Sequence, residues 1–251
     1  MLSFAPAGLP VGFVLEAEVA AGNVHDSTMF DPLYAKVLQR FPEVEMVAMD
    51  SGYRTPRILK QVFESGVIPT APYKRPMTKE GFFKKYDYVY DEHVDCYLCP
   101  ADQILKYSTT NRDGYSEYKS DRKICANCPL REQCTHSKNH QKVLVRHAWE
   151  EFVERAEDVR HSTDGKAVYS QRKETIERVF ATAKEFHGMR YTQYRGKARL
   201  RMQVLLTFSA INLKKLAKRK KISDFSDGFL LFRIFFVLFY LIFEKPHSLI
   251  S

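Results

Sequence analysis

The sequence predicts a mixed α/β fold that carries an inserted module of cysteine-rich β-hairpins. Three observations predict it. Over positions 1–71, short apolar runs that stop at turn residues alternate with helical stretches, in the order strand, helix, strand, helix, strand. Between 72 and 150 the texture changes to tyrosines, lysines and turns, and all five cysteines fall there. From 151 to 221 the chain returns to patterned, basic helices, and 222–251 is an apolar tail.

Composition narrows the function classes. With 45% hydrophobic and 13% aromatic residues among 251, the chain has enough apolar surface to pack a core, which excludes a disordered chain. Thirty-nine Lys and Arg against 30 Asp and Glu leave a net charge of +9, which favours a polyanionic partner such as nucleic acid or an anionic membrane surface. The first residues lack the basic leader and apolar run of a secretory signal, so a cytoplasmic location is expected. In a reducing compartment five cysteines are not a disulfide framework.

Phe13, Leu15, Ala17 and Val19 alternate with Glu16 and Glu18, which predicts a strand from Gly12 to Ala20 with one wet face, near a sheet edge. The turn that follows contains His25 and Asp26, read as turn or capping residues, and leads to a helix from about Asp31 to Arg40. The unbroken apolar run Met46 to Met49 suits a central strand covered on both faces, and it stops at Asp50-Ser51-Gly52-Tyr53. Asp50 is therefore expected where a parallel strand delivers its side chain into the crevice beyond the sheet. Thr55-Pro56 opens a helix to about Ser65, and Val67 to Ala71 reads as the next strand.

Within the insertion, Gln103 to Thr109 and Tyr115 to Lys119 read as a hairpin around the turn Asn111-Arg112-Asp113-Gly114. Cys96 and Cys99 form one Cys-x-x-Cys turn, Cys125 and Cys128 a second, and Cys134 follows. Two such turns on hairpins are what tetrahedral Zn²⁺ needs, so Cys96, Cys99, Cys125 and Cys128 are expected to hold structural zinc, with Cys134 as the alternate ligand. A set of ordinary buried or free cysteines is the competing reading.

Trp149 to Val159 reads as a short charged helix, closed by a turn at Ser162 to Gly165. The helix Tyr169 to Phe186 places Ile176, Val179, Phe180, Ala183 and Phe186 on a core face. Tyr169, Lys173, Glu177 and Lys184 stack along another stripe, an acid held among bases. That pattern can carry a divalent metal beside a phosphate, and a solvated face laced by ion pairs has the same appearance. Arg190 and Arg195, interleaved with tyrosines around two glycines, suit phosphates and stacked bases. An amphipathic helix from Leu200 to Leu216 ends in lysines. The apolar stretch Gly228 to Phe243 spans roughly 24 Å as a helix against roughly 30 Å for a bilayer core, so it is expected to pack on the domain or a partner and not to span a membrane.

The strand ending in Met49-Asp50-Ser51-Gly52-Tyr53, the cysteine-bearing insertion and the run Lys173 to Lys184 together resemble the DDE transposases of bacterial insertion sequences, in the insertion-sequence-4-like group. The resemblance covers roughly Gly12 to Leu216. It implies a partial ribonuclease-H-like mixed sheet with flanking helices, DNA element ends as partner, and carboxylates that hold Mg²⁺ for phosphodiester hydrolysis and strand transfer. It implies Asp50 as the second aspartate and Glu177 as the glutamate of the triad, with Glu174 a competing candidate. The group's helix signature is Tyr, two residues, Arg, three residues, Glu, six residues, Lys. Tyr169 and Arg172 keep the first interval and Glu177 and Lys184 the last, but the gap between Arg172 and Glu177 is one residue longer, so Lys173 competes for the arginine's place. Nothing ahead of Gly12 matches the first strands or the first aspartate. The chain is thus expected to be the carboxyl-terminal part of such a transposase, with little activity alone, a partner in an amino-terminal transposase fragment, and homo-oligomers in an intact system. The rival expectation is a zinc-stabilised DNA-binding module without chemistry.

Overall fold

The apolar run before Asp50 becomes the middle strand of a three-stranded sheet, as its lack of alternation requires. The computed structural model describes residues 2–6 by their backbone, and 12–75, 77–192 and 194–219; the apolar tail expected at 222–251 lies outside the described residues. The sheet has the order β1 (Leu2–Pro6), β2 (Val44–Met49), β3 (Ile68–Thr70). β1 runs antiparallel to β2, with Leu2 opposite Met49, and β3 runs parallel, with Ala48 opposite Thr70. Val47, Ala48 and Met49 are fully buried, the signature of a strand covered on both faces. Helix α1 (Phe30–Arg40) turns Phe30, Tyr34 and Val37 inward at helical spacing. The Phe30 and Tyr34 rings stack at 4.9 Å, and the Tyr34 hydroxyl meets Ser65 Oγ at 2.6 Å. Helix α2 (Pro56–Glu64) is the crossover that a parallel β2–β3 pair needs.

The chain divides into two compact units. One comprises Met1–Arg54, Val62–Ala71 and Val159–Ser251, and the other Thr55–Gln61 and Pro72–Asp158. The mixed α/β expectation holds.

The expected strand at Gly12 to Ala20 does not form: the segment is irregular. Its acidic and apolar residues nevertheless have separate partners. Glu16 and Glu18 point to α1, where they pair with Arg40 and Lys36, while Val14 and Ala17 pack on a second apolar cluster built from Val179, Ala183, Phe208 and Ile211. The acids thus meet one helix and the apolar residues two others, in place of neighbouring strands. The Asn212 side chain accepts the Val14 N–H at 3.0 Å and donates to the Val14 carbonyl at 2.8 Å, so helix α8 (Lys197–Arg219) takes the backbone bonds of that residue.

A second correction concerns Ser162 to Gly165, expected as a turn. Helix α5 (Glu150–His161) gives way directly to α6 (Thr163–Arg172), and the Ser162 hydroxyl accepts the Gly165 N–H at 3.0 Å as an amino-terminal cap. Gly165 is buried because this junction is tight: a Cβ there would stand 1.9 Å from the Val159 carbonyl oxygen. Its own carbonyl accepts from Thr70 Oγ1 at 3.3 Å, which ties the start of α6 to the end of β3. After α6 come a π-helical segment (Lys173–Glu177) and α7 (Arg178–Phe186) without a break. On α7, Val179 and Ala183 are buried as expected, whereas Phe186 is 78% exposed. Phe186 is the last residue of the helix.

In the second unit, β4 (Val89–Asp91), β5 (Cys96–Leu98), β6 (Ile104–Thr110), β7 (Tyr115–Ser120) and β8 (Val143–His147) form an antiparallel sheet in that order. The β6–β7 hairpin turns at the expected place. Asn111 Oδ1 accepts from the N–H groups of Asp113 and Tyr115, and Gly114 takes the left-handed φ of 78° that the turn demands. One face gathers Tyr88, Tyr97, Leu105, Tyr118 and Leu144, with Tyr97 and Tyr118 edge to face at 5.1 Å. Two short helices, α3 (Arg122–Ala126) and α4 (Arg131–Cys134), lie between β7 and β8.

Gly165→Ala is expected to cost about 1–3 kcal/mol, the usual range for forcing volume into a closed space. Gly52→Ala, where an added Cβ meets nothing within 4 Å, is expected to leave stability unchanged. Denaturant midpoints of the two variants check this.

Candidate functional site

At the carboxyl end of β2 the chain turns sharply, and Asp50 caps the turn: its Oδ1 accepts the Ser51 N–H at 2.7 Å. The other oxygen is left for a cation. Asp50 Oδ2 lies 3.3 Å from Arg172 Nη2, and Arg172 Nη1 lies 3.7 Å from Glu177 Oε1. One guanidinium therefore stands between two acids that are far apart in sequence. Its side chain is 10% exposed, whereas those of Asp50 and Glu177 are 49% and 52% exposed, so the cation is sunk and the carboxylates open to solvent. Each pair is stabilising by little at such exposure; the arrangement positions charge more than it adds stability.

The π segment makes this geometry. In an α-helix a residue five positions on lies about 140° round the axis, facing away. A π turn closes i to i+5, so Arg172 and Glu177 come to the same side. The extra residue in the spacing coincides with this helix bulge, and Arg172 contacts both acids. The same bulge interrupts the spacing from Tyr169 to Glu177 that a straight stripe assumes. A widened turn leaves carbonyls short of donors, and the buried Thr175 hydroxyl supplies one, bonding the carbonyls of Gln171 at 2.9 Å and Arg172 at 3.3 Å. The Tyr169 ring lies 5.9 Å from the guanidinium.

Tyr53 is a neighbour that the sequence did not single out, though it sits three residues after Asp50. It is buried against Phe30, and burial first, then the Asp26 and Asp50 carboxylates, push its hydroxyl from 10.0 up to about 12. His25 is the cap expected of it, its Nδ1 accepting the Ser27 N–H at 3.2 Å, and Asp26 opens the short helical turn Asp26–Met29. Glu174 is exposed, and the acid that meets Arg172 is Glu177. Lys184 and Arg195 are exposed, and Arg190 is exposed and paired with Glu185.

All five cysteines are free thiols. Cys99, Cys125, Cys128 and Cys134 line one small cavity of about 20 Å³; Cys96 does not line it. Among the described residues no three His, Cys, Asp or Glu side chains stand close enough together to hold a metal ion, and no helix is long and apolar enough to cross a membrane.

Residues 98–217 match the family of the transposase DDE domain. The matched stretch contains Arg172, Glu177 and Lys184 and four of the cysteines, while Asp50 reaches the site from outside it. A transposase DDE domain implies a role in DNA transposition and, with it, binding of DNA. No curated protein and no solved structure matches the chain.

Two outcomes follow from this geometry. Thr175→Val, which keeps the shape and removes the hydroxyl, is expected to lower stability by about 1 kcal/mol, measured by denaturant unfolding. Because the folded state holds Tyr53 neutral up to about pH 12 and the unfolded chain ionises near 10, its contribution is complete below pH 10 and is lost as pH rises from 10 to 12. Tyr53→Phe should flatten that part of the stability-against-pH curve.

Proposed function

We propose that this chain acts on DNA ends in transposition, by metal-dependent phosphodiester hydrolysis and strand transfer, with Asp50 and Glu177 as the acids that carry the chemistry and a ribonuclease-H-like core as their frame. The observation that carries this reading is the single guanidinium, Arg172, that touches both acids from the middle of a helix within the matched family segment. A buried cation between two half-exposed carboxylates marks a place where positive charge belongs.

Hard oxygen donors suit Mg²⁺, which takes one or two carboxylates and completes its shell with waters and substrate phosphate. Asp50 and Glu177 would hold it, and when bound it would activate the attacking oxygen and stabilise the leaving one. Arg172 then has a second task. Its planar fork, released from the acids, matches the oxygens of a scissile phosphate and holds it in line. Arg190, Arg195 and Lys184, all exposed, supply further phosphate contacts, and Tyr191 and Tyr194, 80% and 52% exposed, offer faces for unpaired bases.

Two carboxylates hold a divalent ion more weakly than three, so the chain alone is expected to bind DNA with little or no cleavage. A third carboxylate supplied by a partner chain is expected to raise the rate.

The test is Mg²⁺-dependent cleavage of element-end DNA by the chain, alone and coexpressed with the product of the upstream reading frame. Asp50→Asn and Glu177→Gln should each lower cleavage a hundredfold or more, about 2.7 kcal/mol of transition-state stabilisation, while DNA affinity is unchanged. Binding without cleavage under every combination would favour a non-catalytic, zinc-stabilised DNA-binding module.

A further inference from the structure

The cysteines of the second unit are not placed as paired Cys-x-x-Cys spacing suggests. We infer that Cys99, Cys125, Cys128 and Cys134 form a tetrathiolate site for one Zn²⁺, and that Cys96 is not a ligand.

Strand geometry separates the cysteines. On β5 the side chains of Cys96 and Tyr97 point to opposite faces. Tyr97 belongs to the aromatic cluster, and Cys99 and Cys134 pack against that same cluster, so Cys96 lies across the sheet from them. The four remaining sulfurs border one cavity. Cys125 and Cys128 share a tight turn, the Cys128 N–H donating to the Cys125 carbonyl at 3.3 Å. Cys134 ends α4, and Cys99 leaves β5 with its sulfur accepting the Gln103 N–H at 3.4 Å.

The surroundings are those of a thiolate site. Four thiols give up four protons to solvent as four Zn–S bonds form, and no electron is transferred; the product carries a net charge of −2 at its centre. Lys142 stands ready against that charge, its Nζ 3.0 Å from the Cys134 carbonyl, and Arg131 lines the same cavity. The Tyr88 hydroxyl, 3.2 Å from Cys134 Sγ, is placed to donate to a ligating sulfur. The fold also needs a cross-link here. Helices α3 and α4 are five and four residues long and contain no buried residue, so neither propensity nor an apolar core holds them. A short segment with no buried residue of its own is a setting in which a structural metal contributes folding free energy directly. In this structure no three of the sulfurs stand at ligating separation, so loading turns them inward about χ1 and cross-links 121–142.

The test is the metal content of the full chain, purified from zinc-supplemented cells, by mass spectrometry of the metal and of the intact protein. About one zinc per chain is expected, retained in Cys96→Ser and reduced at least fivefold in Cys134→Ser. Cys134→His, which restores a ligand atom, should recover the metal, and so separates a lost ligand from a lost fold. Replacement by Co²⁺ should give the absorption of a tetrahedral thiolate site that changes in Cys134→His and not in Cys96→Ser. Wild-type chain without zinc, or zinc lost from Cys96→Ser and kept in Cys134→Ser, would overturn the assignment. None of these readouts involves DNA cleavage, so failure here leaves the proposed activity standing, and the reverse.

Discussion

A buried guanidinium requires counter-charge, and the first unit is arranged to provide it. Arg172 is 8% exposed, and a desolvated cation of that kind is tolerated only where anions reach it. Asp50 comes from the end of the central strand and Glu177 from the far side of the π turn, so strand end and helix are held in register by one planar group. Gly165 lets α6 begin against the preceding carbonyl, Thr70 ties that start to β3, and Thr175 steadies the widened turn. Altering any of these shifts the guanidinium relative to the carboxylates.

Several elements could be read from the residues because they are written in local pattern, although strand β1 (Leu2–Pro6) was not foreseen and the strand expected at Gly12 to Ala20 does not form. The run before Asp50, the helix of Phe30 to Arg40 and the Asn111–Gly114 hairpin turn each depend on neighbours a few positions away. What could not be read depends on partners distant in sequence. Phe13 to Val19 has the pattern of a strand, yet whether such a pattern becomes a ladder depends on what lies alongside, and here α1 and α8 do. At the site, Asp50 and Glu177 were legible as acids in the right company. The role of Arg172 was obscured because spacing rules assume an unbroken 3.6-residue helix, and an insertion of one residue is interpretable only as a bulge.

The two units stabilise themselves by different means. The first buries aliphatic and aromatic side chains between sheet and helices, with Val47, Ala48 and Met49 inaccessible. The second relies on tyrosines whose hydroxyls must find acceptors, as Asp95 does for Tyr90 and Tyr118, and burial raises the Tyr88 and Tyr118 hydroxyls far above their ordinary range. A polar aromatic core of this kind tolerates water at its rim but depends on each hydrogen bond.

Asn212 carries a further consequence. A carboxamide is a peptide group mounted on a side chain, and its two bonds to residue 14 reproduce one rung of a ladder from a helical surface. The long carboxyl-proximal helix thus stands in for a missing neighbour at a single point. The chain near position 14 is anchored there with the specificity of a sheet and the footprint of one residue, so neither aspartate, which cannot donate, nor leucine, which can do neither, is an equivalent replacement.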